Sequence, residues 1–312
     1  MRALALVAGG KVSMLGAFRA ASRAGVRFAA YVYLSGGDHI MRKMRVAVGL
    51  AVLVVGAALP AAAQDATIGF DAAFNSAYNW RGLSLTNKPV IQPDVWLSAF
   101  GFTGGVWANV EPTKYDGATD LSESGGVRSG IAEIDYWIEY ARTTGNVSWK
   151  AGWVAYTYNK NNAGISNVFN TSEVYGNISL GGLPVTPALG IWYDIDNVKG
   201  AFIQPSLSLP VKVAPTFTVN LTATAGISAG QEVNTSKPLE GANFAKSGLA
   251  HADLGASTSF TAGPVSFAPQ LHVQWCHDDF VKTSSVGHQH SVKFWGGVTL
   301  SWSHGLGATK SE

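Results

Sequence analysis

Three carboxylates share one side of a short stretch. Glu133, Asp135 and Glu139 alternate with Ala132, Ile134, Tyr136, Ile138 and Tyr140. An alternation of period two belongs to a strand and not to a helix. Stacked carboxylates repel one another unless cations or bases intervene. Lining a narrow wet passage, such acids favour cations. Asp71, Asp94, Glu111, Glu173, Asp194, Asp196 and Asp253 fall on the same side of their own segments, with Lys150 and Lys293 as the bases facing them. The plainer alternative is that the acids solvate an interior and pair with Lys and Arg. Arg81 follows the first such segment. It either folds into a pore mouth to meet the acids or begins a loop.

The histidines raise metal chemistry. Cys276-His277-Asp278-Asp279 and His288-x-His290 flank one stretch, but their spacing fits no defined ligand set, so no metal or other cofactor is expected. His251 and His272 fall on the polar side of their strands and read as lining. His251 with Asp253 and nearby serines would serve a hydrolase, yet no G-x-S-x-G elbow accompanies them. Cys276 is the sole cysteine, which excludes an internal disulfide.

About twelve strands can carry these residues. They are Thr67–Tyr78, Val90–Phe100, Phe102–Glu111, the pair around Ile131–Asn159, Thr171–Leu180, Val185–Asp196, Gly200–Val211, Phe217–Ala229, Gly248–Phe260, Pro264–Cys276 and Ser291–Ser303. Short connections such as Thr143–Asn146 and Gly181–Pro184 alternate with longer ones such as Trp80–Pro89 and Pro112–Ser129. Only Asn197–Lys199 departs from the alternation. That order marks a transmembrane barrel, where short periplasmic turns alternate with long outer loops. Pro187, Pro205 and Pro269 fall inside strands and require bulges or shifted ends. The strand after Thr143–Asn146 has two candidate phases, with Trp149 and Trp153 on one face and Tyr156 and Tyr158 on the other.

Charge supports export. Residues 1–63 hold eight of the 22 basic residues and one of the 20 acidic ones. The remainder carries fourteen basic against nineteen acidic residues, net −5, which speaks against a nucleic-acid partner. Met41-Arg42-Lys43-Met44-Arg45, the apolar run Val46 to Leu59 and Ala61-Ala62-Ala63 form a secretory signal over 41–63, with Gln64 first in the mature chain. Residues 1–40 precede a complete signal and read as an early start or an extended leader. The barrel is expected over 64–303 and a tail over 304–312.

Several pieces resemble a known family. Trp80-Arg81-Gly82-Leu83-Ser84-Leu85-Thr86 is followed by Pro89-x-x-Gln92 and by Gly101-Phe102-x-Gly104-Gly105-Val106-Trp107-Ala108. Then come Glu133-Ile134-Asp135 with Tyr140, and Thr171-Ser172-Glu173-Val174-Tyr175. In this order, from Ile68 to about Leu180, they resemble the TorF porin family. The resemblance implies an outer-membrane barrel and small-solute passage. It brings no substrate and no catalytic residues.

The expectation is an all-β, closed antiparallel transmembrane barrel of about twelve strands. It would sit in outer-membrane lipid, be inserted by the barrel assembly machinery, and pass small hydrophilic solutes or cations. A pore of this size should be narrow or partly blocked by loops. The competing readings are a plugged binding or structural barrel and, less favoured, an outer-membrane hydrolase.

Overall fold

The computed structural model describes residues 66–307, apart from 87, 113–129, 159–169, 232–243, 245 and 277–291. The proposed signal segment and the loop holding His277, Asp278, Asp279, His288 and His290 lie outside the described residues. Alternation of side-chain type organises what is described. Along β1 (Thr67–Asn75), Ile68, Phe70 and Phe74 are exposed, while Asn75 is buried. The same switch recurs in β4 (Val90–Ala99), β5 (Phe102–Glu111), β6 (Gly130–Thr144), β7 (Val147–Tyr158), β8 (Thr171–Leu180) and β9 (Thr186–Asp194). It continues through β10 (Ala201–Ala214), β11 (Phe217–Ala229), β12 (Gly248–Ser257), β14 (Val265–Cys276) and β15 (Val292–Gly305).

These twelve strands pair antiparallel, each with the next in that order. The ring closes where β1 pairs with β15, from Thr67 opposite Gly305 to Asn75 opposite Gly297. Closure removes every free edge, so each barrel strand finds backbone partners on both sides. Nine to fifteen residues per strand suffice to cross a bilayer.

The outside is apolar. Phe294 is 80% exposed and Leu271 70%, exposures that a soluble sandwich core would not allow. Aromatic side chains gather on the outer surface at the end of the short turns. Phe102 meets Tyr140 at 4.8 Å, Tyr140 meets Trp149 at 5.7 Å, and Phe260 stacks on Phe267 at 5.2 Å. An apolar band bordered by aromatic rings is the surface of a membrane-spanning barrel. The buried polar groups face the opposite way, into the lumen, and include Gln92, Asn109, Glu133, Glu173 and Gln274.

The phase of β7 is settled by its partners. Lys150 meets Glu139 and the Tyr156 hydroxyl meets Glu173, so the tyrosines face the lumen and Trp149 faces outward. The prolines sit where one neighbouring ladder is missing. The β9–β8 ladder begins at Ala188, just after Pro187. The β10–β11 ladder skips Gln204 and Pro205, and the β12–β14 ladder stops at Gln270, next to Pro269. Each proline thus lacks an N–H where no ladder asks for one.

Thr67–Tyr78 does not form one strand. β1 ends at Asn75, and Tyr78 opens a separate hairpin of β2 (Tyr78–Trp80) and β3 (Leu83–Thr86). This hairpin occupies the stretch read as the outer loop Trp80–Pro89, and neither of its strands joins the barrel wall. A further short strand, β13 (Phe260–Ala262), pairs only with β14.

Candidate functional site

The hairpin turn is the two-residue segment Arg81-Gly82, and both residues have positive φ, 48° and 90°. A turn of this kind matches the twist of its flanking strands. Left-handed backbone costs a non-glycine residue roughly 1 kcal/mol. The surroundings of Arg81 show what holds it there. Its guanidinium donates two hydrogen bonds of 2.7 Å, one to each carboxylate oxygen of Glu173 on β8. It also lies over the rings of Trp80 at 4.4 Å and Phe202 at 4.6 Å. Burial pulls the Arg81 pKa down, but Tyr156 and Glu173 beside it outweigh that and leave it raised.

On its other side the turn is fixed through Gly82. The Gly82 carbonyl accepts from Lys293 Nζ at 2.6 Å and from Cys276 Sγ at 2.8 Å. A Cβ at Gly82 would fall 2.8 Å from that of His251, so this position needs glycine for space as well as for φ. In the ring of twelve strands, β8 and β15 stand six places apart, on opposite sides. The tip of the hairpin therefore spans the lumen. Leu83 and Leu85 bury against Phe202, Phe244, Ala250 and Cys276, and Tyr78, Trp80 and Trp192 pack on that cluster. A cluster of apolar side chains thus sits inside an otherwise polar lumen.

The acids named from the sequence take up several arrangements. Asp71 accepts from the Trp96 indole at 2.7 Å and Asp94 from the Trp137 indole at 3.3 Å. Glu139 holds Lys150 at 2.9 Å and the Tyr175 hydroxyl at 2.8 Å. Glu111 accepts from Asn109 at 3.0 Å, and Tyr78 and Tyr158 face Glu133. Glu133 and Asp135 each keep one buried oxygen without a hydrogen-bonding partner. Asp194 is wholly buried and secures the turn after β9, accepting from Thr171 Oγ1 at 2.5 Å and from the backbone N–H of Asp196, Val198 and Lys199. Asp196 itself lies exposed in that turn.

Asp253 holds His272 at 2.8 Å, and His272 stacks on Trp295 with ring centroids 4.1 Å apart. His251 stacks instead on Phe202 at 5.9 Å. The pairing of His251 with Asp253 suggested by the sequence does not form, because the aspartate holds the other histidine. No group of three or more His, Cys, Asp or Glu able to hold a metal forms among the described residues.

Sequence reasoning left Arg81 open between mouth and loop; the chain folds it inward. It missed the hairpin core and the tyrosines that serve the acids. A signal for the hairpin was available. Trp80, Leu83 and Leu85 flank a two-residue turn, and three large apolar side chains in a supposed outer loop call for burial.

No curated protein matches the chain. Among solved structures, it is similar to an outer-membrane channel from Pseudomonas putida F1, at 10% identity and a TM-score of 0.48, over 77% of this chain and 96% of that one. It is similar to the NanC porin at 9% identity and a TM-score of 0.42, over 75% and 98%. It is also similar to the outer membrane phospholipase A from Escherichia coli, at 12% identity and a TM-score of 0.36, over 77% and 93%. A family model described as a bacterial protein of unknown function (Gcw_chp) matches residues 60–260, more than half of the sequence, and the chain belongs to that family.

Proposed function

We propose that this chain is an outer-membrane channel for passive diffusion of small hydrophilic solutes or ions, with cations preferred. The observation that carries the reading is the inverted barrel. Leucines and phenylalanines face outward all round, while carboxylates, amides and hydroxyls enclose the interior. Such a wall has no use in water and a clear one in lipid. The carboxylates on β4 to β9, most of them served by neutral donors, give the interior its cation preference. The hairpin across the lumen limits passage to small species. The ordered motifs from Trp80 to Tyr175 support assignment to the TorF porin family. A signal over 41–63 would direct export, the barrel assembly machinery would insert the chain, and outer-membrane lipid would surround it.

One observation favours a second reading, a plugged barrel. The hairpin tip is bonded to both opposite walls, and an apolar cluster packs behind it. Purified protein in planar bilayers decides between them. The channel reading expects discrete conductance steps and, under a salt gradient, a reversal potential on the cation side. A silent bilayer with correctly folded barrel supports the plug and removes the channel.

A further inference from the structure

Beyond the acids and the hairpin core, the half of the lumen built by β10 to β15 lines an open cavity of about 320 Å³. At ~30 Å³ per molecule it has room for roughly ten waters, and it lies within the size range of ligand pockets. Its lining is unlike the opposite wall. Four hydroxyls, those of Ser206, Ser208, Thr222 and Thr224, and two amides, Gln204 and Gln274, share it with His251, Asp253, His272 and Trp295.

We propose that this cavity is a binding subsite for a neutral polyhydroxylated solute, a sugar of one or two rings. The proposal rests on the reading of the lumen as a solute path and names the class of solute. Three observations carry it. A buried donor and a buried acceptor here lack protein partners: Trp295 Nε1 has a hydrogen to give and Asp253 Oδ2 can accept. Both residues line the same cavity. Buried polar atoms left unpaired are costly, and a ligand bearing both donors and acceptors would repay that cost.

The charged groups are also already engaged. Arg81, which lines the cavity as well, is held by Glu173, and Asp253 Oδ1 is bonded to the His272 ring. What remains for a ligand is hydroxyl and amide, which suits an uncharged partner rather than an ion. Finally, the flat rings are seated by glycine. A Cβ at Gly226 would clash with the His251 ring, and one at Gly255 would come within 2.8 Å of the His272 ring. Trp295 backs His272 face to face, so the wall is stiff before a ligand arrives.

The test titrates detergent-folded, full-length barrel with glucose and maltose, and with glutamate and lysine as charged probes. Saturation-transfer NMR and tryptophan fluorescence follow binding. Saturable sugar binding is expected, weakened about fivefold or more in Asp253→Asn, the loss of one hydrogen bond. Thr222→Val tests the same wall if Asp253→Asn fails to fold. Absence of saturation with both sugars, or glutamate and lysine binding as well as glucose, overturns the proposal. Binding is read without current, so the two readings fail separately. A barrel that binds sugar yet never conducts sinks the channel alone, and one that conducts without binding sugar sinks the subsite alone.

Discussion

The two halves of the lumen solve the same problem differently. From β4 to β9 the interior carries Asp94, Glu111, Glu133, Asp135, Glu139, Glu173 and Asp194. From β10 to β15 its inward groups are hydroxyls, amides, two imidazoles, Lys293 and Asp253. A buried carboxylate needs donors. On the acidic side many of these come from neutral side chains: Trp137 to Asp94, Tyr156 to Glu173, Tyr175 to Glu139. Arg81 and Lys150 match only Glu173 and Glu139, so that wall keeps a formal excess of carboxylates. The other wall is close to balanced and keeps unpaired polar atoms around a cavity. One wall is built to hold charge, and the other to receive a polar guest. The hairpin lies between them, bonded to each.

Cutting that bond should have the largest effect. Arg81→Ala leaves Glu173 buried with only Tyr156, and removing one partner of a buried pair costs about 3 kcal/mol or more. Urea unfolding from lipid vesicles should show that loss, and single-channel conductance should rise several-fold as the tip is released. The double variant Arg81→Ala with Glu173→Gln should recover much of the stability while keeping the raised conductance. If conductance is unchanged in both variants, the hairpin does not limit passage. Gly82→Ala breaks the other anchor more gently. The new methyl meets His251 and the backbone sits at φ 90°, which together should cost about 1–2 kcal/mol in the same unfolding assay.

The sequence carried the wall far better than its contents. Glu133, Asp135 and Glu139 could be phased because each has an apolar neighbour on either side, and a closed barrel turns that pattern directly into inside and outside. The β7 strand resisted because tryptophan and tyrosine are both amphipathic, and their types alone do not distinguish lipid from lumen. Only Glu139 and Glu173, opposite Lys150 and Tyr156, orient it. The hairpin was hidden for another reason. Its interactions run from residue 81 to residues 173 and 202, distances that no local pattern encodes. Asp194 carries a second role that alternation does not encode: it is buried, and N–H groups of the following turn donate to its Oδ1.

A smaller effect sharpens the contrast in charge. Glu139→Gln removes one carboxylate beside Lys150 and leaves that base without its partner. The cation preference measured by reversal potential should fall, by roughly twofold for a single charge in a wet lumen. Thr224→Val on the opposite wall should leave the reversal potential where it was. Equal shifts from both substitutions would mean that the halves are not electrically distinct.

The mildest change concerns how the acid wall keeps its charge. Trp137→Phe preserves an aromatic side chain on β6 but deletes the indole donor to Asp94. That bond is long, at 3.3 Å, and the carboxylate is only partly buried, so water can replace the donor. The loss should be about 0.5–1 kcal/mol in unfolding, the ordinary net worth of one hydrogen bond. Trp96→Phe removes the 2.7 Å donor to Asp71 and should cost more than its counterpart on β6. If neutral donors maintain the negative wall, both variants should lose stability while their cation preference stays intact, because the carboxylates remain. A loss of selectivity at unchanged stability would instead mean that the indoles shape the ion path themselves.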